Sequence, residues 1–224
     1  MTVCRQLGAD TVTAQDDVRL LEVTISSDLS LQRHVFNVSA TAFYWLRQLR
    51  RVRRSLHSES AATLVHAFVT SRVDQCNAIF AGATKSVTDT LQRIMNAAAR
   101  VVSDTRKFDH CLTQILHDDL HWLDVADRVT YKLGVNMHRC QNGKAPQYLV
   151  DCCTPVTDDV GRQRLRSATQ QLMVVPQHRL YAVGCRAFAV HGPMVWNSLP
   201  DDLRAQQDYE SFRQGLKTWL FSRY

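Results

Sequence analysis

The sequence predicts a mainly α-helical protein: an antiparallel helical bundle with a short N-terminal β element and a mixed, partly extended C-terminal region. Apolar residues recur every three to four positions across most of residues 31–153, whereas they partly alternate before residue 31. The 224 residues are 45% hydrophobic and 21% charged and include only 8 glycines and 5 prolines. A chain of this size and composition buries a core without needing disulfides or a structural metal.

The N-terminal element is predicted from the apolar residues between Val18 and Ile25, whose partial alternation is typical of a strand or hairpin. A helical pattern begins at Ser30, a predicted N-cap, and continues to about Leu56. We expect one face of this helix to pack against the rest of the bundle. That face is formed by Ala42, Trp45, Leu46, Leu49, Val52 and Leu56.

Three further helical segments complete the predicted bundle. The first follows Ser58 and ends before Gly82, which suits a C-terminal helix cap. The second runs near 84–102, and the third covers 110–141 in two pieces broken near Trp122. Short connections between these segments favour antiparallel packing of neighbouring helices.

The C-terminal region differs in composition, because a polar stretch over 154–171 carries arginines at alternate positions and predicts an extended, exposed segment. Gly192 and Pro193 predict a turn, and a last helix is expected after Asp208. The predicted units of the chain are therefore residues 1–30, 31–153 and 154–224.

The strongest chemical signal is an arginine face on the first helix. Residues 31–60 hold six arginines and one acid, Glu59, although the formal net charge of the whole chain is only +6. Four of these arginines, opposite the apolar face, are spaced i, i+3, i+4 and i+7: Arg47, Arg50, Arg51 and Arg54. Guanidinium groups hydrogen-bond phosphate oxygens in a fork and need no base contact to do so. We therefore predict that these side chains bind the nucleic-acid backbone, with a ligand-free solvated face as the alternative.

Signatures of catalysis and metal binding are weak. Four Asp doublets lie outside the strand-turn-strand setting that suits a two-metal centre. His117 and His121 flank two aspartates and only loosely match the zinc motif His-Glu-x-x-His, and the cysteines include no Cys-x-x-Cys pair. The sequence predicts no catalytic residue, no metal site, no cofactor and no enzyme activity of its own.

The cellular setting is predicted from two further features. The sequence has no run of 18 apolar residues and no signal-peptide core. Its seven cysteines, an odd number, do not indicate a secreted disulfide framework. We expect an intracellular protein, in the nucleus or the cytoplasm, with no membrane partner and an oligomeric state that the sequence leaves open.

An ordered series of short sequence blocks spans nearly the whole chain. The blocks are 21–35 (LEVTISSDLSLQRHV), 43–51 (FYWLRQLRR), 64–77, 91–100, 120–123, 143–149, 164–167 and 192–200 (GPMVWNSLP). In this order they resemble the region after the palm in LINE-type non-LTR retrotransposon reverse transcriptases of the jockey-like branch.

The resemblance implies a fragment of a transposable-element enzyme, an RNA-directed DNA polymerase. Residues 1–30 would be the end of its palm and residues 31–153 its helical, thumb-like bundle. The catalytic aspartates of the family would lie upstream, so the resemblance implies a non-catalytic fragment whose partner is RNA or an RNA/DNA duplex. The sequence departs from the family pattern at Glu22, where relatives carry Gly, and at Gln75, where they carry Tyr.

Two other interpretations stay open at the level of sequence. The basic helical face could instead meet an acidic protein, which would make the chain a helical protein-interaction scaffold. A decayed retroelement reading frame would encode a pseudogene product with no function.

Overall fold

The computed structural model describes residues 4–7, 10–13, 15–106, 112–158, 171–177 and 184–224. Over these residues the protein is mainly α-helical with a β element at the N-terminus, as the sequence predicts. Most of the predicted extended segment lies outside the described residues, including Arg162, Arg164 and Arg166.

Two antiparallel hairpins form the N-terminal β element. Strand β1 (Cys4–Leu7) pairs with β2 (Asp10–Thr13), and β3 (Asp17–Leu20) pairs with β4 (Val23–Ser26). The second hairpin turns at Leu21 and Glu22, whose φ angles of 47° and 69° are left-handed. This hairpin meets the first helix, because the backbone N–H of Thr24 donates to His34 Nδ1 at 3.4 Å.

The helices follow in the order that the sequence predicts. Helix α1 (Gln32–Val52) ends in a 3₁₀ turn (Arg53–Ser55), and α2 (Ser58–Val65) continues through a π-helical turn (His66–Thr70) into α3 (Ser71–Asp74). The later helices are α4 (Lys85–Val102), α5 (Leu112–Gln114), α6 (Val125–Gln141), α7 (Gln147–Val150), α8 (Phe188–Asn197), α9 (Asp201–Arg204) and α10 (Tyr209–Phe221). Short 3₁₀ or π-helical turns cover Asn77–Phe80, Ile115–Asp119 and Val156–Asp158.

Two hydrophobic cores share helix α6. The first lies between α1, α2, α4 and the N-terminal half of α6, around the fully buried Leu91 and Ile94. The second lies between the C-terminal half of α6, α8 and α10, around Trp196 and Phe212. Because α6 contributes to both, it connects the bundle to the C-terminal region.

The start of α1 differs from the prediction. The helix begins at Gln32 with Leu31 in the N-cap position, one residue after the predicted cap Ser30. Asp28 Oδ1 accepts a hydrogen bond from the backbone N–H of Ser30 at 2.9 Å. This contact holds Ser30 in the preceding turn and delays the helix.

The end of the apolar face of α1 also differs from the prediction, because it includes Arg53 and not Val52. Val52 is 48% exposed, whereas Arg53 is buried. Arg53 follows Leu46 and Leu49 at i+7 and i+4, so the helical period turns it toward the core.

The predicted turn at Gly192 and Pro193 is wrong, because both residues lie inside α8 and are buried. A Cβ atom at Gly192 would approach Met137 Sδ to 2.8 Å, so glycine permits close packing of α8 on α6. Burial against α6 outweighs the turn preference of the Gly-Pro pair.

Candidate nucleic-acid interface

The four arginines of the predicted site share one exposed face. Arg47, Arg50 and Arg51 lie in the last turns of α1, and Arg54 lies in the 3₁₀ turn that follows. All four are exposed. Within the part of the chain that the structure describes, none of them forms an ion pair. We call these residues the arginine face.

The other two arginines of residues 31–60 have structural partners. Arg33 Nε lies 3.1 Å from Asp17 Oδ2 on β3. Arg53 is 8% exposed, and its guanidinium donates to Val101 O at 2.7 Å and to Val102 O at 2.8 Å. It thus satisfies carbonyl groups at the end of α4 that have no partner within the helix.

A basic cleft of about 500 Å³ opens where the C-terminal ends of α1 and α4 meet. Arg50 and Arg54 line it from the side of α1, and Arg100 and Arg106 line it from the side of α4. Asp104 adds a carboxylate to the lining. A phosphate group in this cleft would therefore contact cations from two separate helices.

The helix dipole accounts for only part of this concentration of charge. A helix C-terminus carries partial negative charge, which favours cations in the last turn and fades beyond it. Arg50 and Arg51 lie in the last turn of α1. Arg47 lies a turn earlier, so its place on the same face is not explained by the dipole.

Sequence reasoning missed Arg100 as a part of this site. It is far from the arginine face along the chain, and its own helix α4 shows no dense cluster of basic residues. Only the packing of α1 beside α4 brings it to the cleft.

The residues considered as metal ligands have other contacts in the structure. His117 is buried, its Nδ1 lies 2.9 Å from Trp122 O, and its ring stacks on Tyr224. A hydrogen bond between Cys140 and Cys153 lowers the pKa of the Cys140 thiol and raises the pKa of the Cys153 thiol. Among the described residues, no group of three or more His, Cys, Asp or Glu side chains is placed to hold a metal ion.

Comparison with protein-family models, with curated proteins and with solved structures gave no match. The resemblance to jockey-like reverse transcriptases thus stays a prediction from the sequence blocks. In the described ranges, every helix is too short or too polar to cross a lipid bilayer.

Proposed function

We propose that the protein is a non-catalytic bundle that binds the phosphate backbone of nucleic acid through Arg47, Arg50, Arg51 and Arg54. One observation supports this most strongly: these four cations share an exposed face and have no carboxylate partner among the described residues. A solvated helix face normally places acids among its cations. Here no acid occurs between Asp28 and Glu59.

The cleft beside the arginine face supports the same function. Arg100 adds a cation from α4, so a backbone that lies along α1 can also be held from a second helix. Contacts to phosphates give affinity and position but no sequence preference. Such a role agrees with the thumb-like bundle that the resemblance to an RNA-directed DNA polymerase implies.

The direct test is binding of a fluorescently labelled RNA/DNA duplex by the quadruple variant R47A/R50A/R51A/R54A. We expect a loss of affinity of about 10- to 100-fold at low salt, because several phosphate contacts are removed. The matched control K85A/K132A/R139A/K217A removes four charges from exposed positions on other helices of the protein. An equal loss in both variants would contradict the proposal, because net charge alone would then explain binding.

Competition separates this function from that of a scaffold for an acidic protein. Heparin and unlabelled RNA should each displace the duplex, because backbone binding requires only a dense polyanion. The scaffold function would replace the proposal if the protein bound an acidic peptide of defined sequence but no nucleic acid at about 50 mM salt.

A further inference from the structure

Helix α1 exposes three aromatic side chains ahead of its arginine face. Phe36, Phe43 and Tyr44 are 70%, 46% and 57% exposed. In contrast, Trp45 turns inward and stacks on Phe68, with ring centroids 4.5 Å apart. The helix therefore directs one of its aromatic rings into the bundle and leaves three on the surface.

The exposed rings and the arginines lie on one side of α1. At 100° per residue, Phe36, Phe43 and Arg47 fall within about 40° of one another around the helix axis. Tyr44 lies at one edge of this surface, about 100° around the axis from Phe43 and within about 20° of Arg51. From Phe36 to Arg54 this surface extends about 27 Å along the axis. We call it the aromatic–arginine face.

This combination of side chains suits a nucleic-acid strand with free bases. Proteins that bind single strands stack the bases on aromatic rings and hold the phosphates with cations. A duplex keeps its bases stacked inside and presents mainly its backbone, so it would leave the three rings unused.

We propose that the aromatic–arginine face binds single-stranded nucleic acid in preference to a duplex. The bases stack on Phe36, Phe43 and Tyr44, and the phosphates contact Arg47 and Arg51. This inference rests on the proposed function, because the same arginines supply the backbone contacts, and it adds the class of substrate.

The charge of the face argues against a second copy of the chain as its occupant. No acid occurs between Asp28 and Glu59, so two such faces are both positive and repel one another. A polyanion with unstacked bases complements both halves of the face, since it supplies negative charge to one and flat apolar surfaces to the other.

The test compares fluorescence anisotropy of a labelled, unstructured single-stranded RNA with that of a duplex of equal length. We expect the variant F36A/F43A to bind the single strand about 20-fold or more weakly, because base stacking on two rings is lost. Its affinity for the duplex should stay unchanged. The control Y148A removes an equally exposed ring on α7, 70% exposed, and should alter neither affinity.

A second measurement reports stacking directly. Single-stranded RNA that contains 5-iodouracil should photocrosslink to the peptide that spans residues 36–44, and this crosslink should disappear in F36A/F43A. A crosslink located elsewhere would overturn the inference.

The outcomes separate this inference from the proposed function. If R47A/R50A/R51A/R54A weakens both ligands while F36A/F43A weakens neither, backbone binding stands and the single-strand preference fails. If neither RNA nor duplex binds the wild-type protein, both fail. A dimer in sedimentation that F36A/F43A dissociates without changing RNA affinity would show a homodimer surface and overturn the inference.

Discussion

Arg53 and Arg54 are neighbours in sequence, but their side chains have opposite environments. Arg53 is 8% exposed and donates to Val101 O, Val102 O and Leu56 O, whereas Arg54 faces solvent. One residue of helical rotation thus separates a side chain that stabilises the fold from one that is available for a ligand.

Replacement of Arg53 tests this division. We expect Arg53→Ala to lower the free energy of unfolding by about 2–4 kcal/mol, because buried carbonyls lose charged donors. Arg54→Ala should change it by less than about 0.5 kcal/mol and should weaken nucleic-acid binding instead. Urea unfolding followed by tryptophan fluorescence measures both. Similar stabilities of the two variants would show that Arg53 is not a structural residue.

Two buried histidines should make stability depend on pH. Burial lowers the pKa of His34 and the pKa of His138 below the ordinary value of 6.5. His138 also stacks on Phe212, with ring centroids 4.3 Å apart, and its Nε2 lies 2.9 Å from Gln206 O. The hydrogen bond to Gln206 O raises the pKa of His138, but burial has the larger effect, so the folded state favours the neutral imidazole of both residues.

The sign of the pH effect follows from linkage. Below about pH 6.5 these two histidines take up protons in the unfolded chain but resist protonation in the folded protein. The stability that they contribute is therefore fully present above this pH and is lost as the pH falls below it. We expect the urea midpoint to decrease between about pH 7 and pH 5. The decrease in the urea midpoint should be smaller in His138→Gln, because a glutamine side chain at this position cannot take up a proton. An equal decrease in that variant would exclude His138 as a source.

At the scale of elements, the end of α8 anchors the segment around Met173. Asn197 Oδ1 accepts a hydrogen bond from Met173 N, and Asn197 Nδ2 donates to Met173 O, both at 2.8 Å. Trp196 Nε1 donates to Gln171 O at 2.9 Å. The Trp-Asn pair of the 192–200 block thus joins α8 to the described residues 171–177.

Two substitutions at Asn197 measure the strength of this anchor. Asn197→Asp keeps an acceptor for Met173 N but leaves Met173 O without a donor, which should cost about 1–2 kcal/mol of stability. Asn197→Ala loses both bonds and should cost more. Hydrogen exchange at the Met173 amide should accelerate in the alanine variant. Unchanged exchange there would show that other contacts hold the segment.

Elements with a strong local period could be predicted from the sequence, and those fixed by distant contacts could not. The apolar stripe of α4, with Leu91, Ile94 and Met95, is buried as its helical spacing predicts. The Gly192-Pro193 pair predicts a turn, and this prediction is wrong because the contact of Gly192 with Met137 arises only when α8 packs on α6.

The same reasoning applies to the candidate site. The exposure of Arg47, Arg50 and Arg51 follows from the period of α1, which the sequence contains. Arg53 is four residues after Leu49, so the same helical period also predicts that Arg53 is buried. Arg100 reaches the cleft only through the packing of α1 on α4, which no local pattern encodes.

At the scale of the whole molecule, α6 joins two cores, and five arginines line the cleft where the C-terminal ends of α1 and α4 meet. The formal net charge of +6 is modest, so placement of the charge should matter more than its total. The variants with four cations removed from the arginine face or from elsewhere have equal net charge and test this point.

The salt dependence of duplex binding tests the central claim most directly. With about four phosphates engaged, the logarithm of the association constant should fall with the logarithm of salt concentration with a slope of about −3 to −4. In R47A/R50A/R51A/R54A the slope should become shallower, between about −1 and zero. In K85A/K132A/R139A/K217A it should stay unchanged. A wild-type slope near zero, or one that loss of the four arginines does not alter, would contradict backbone binding by this face.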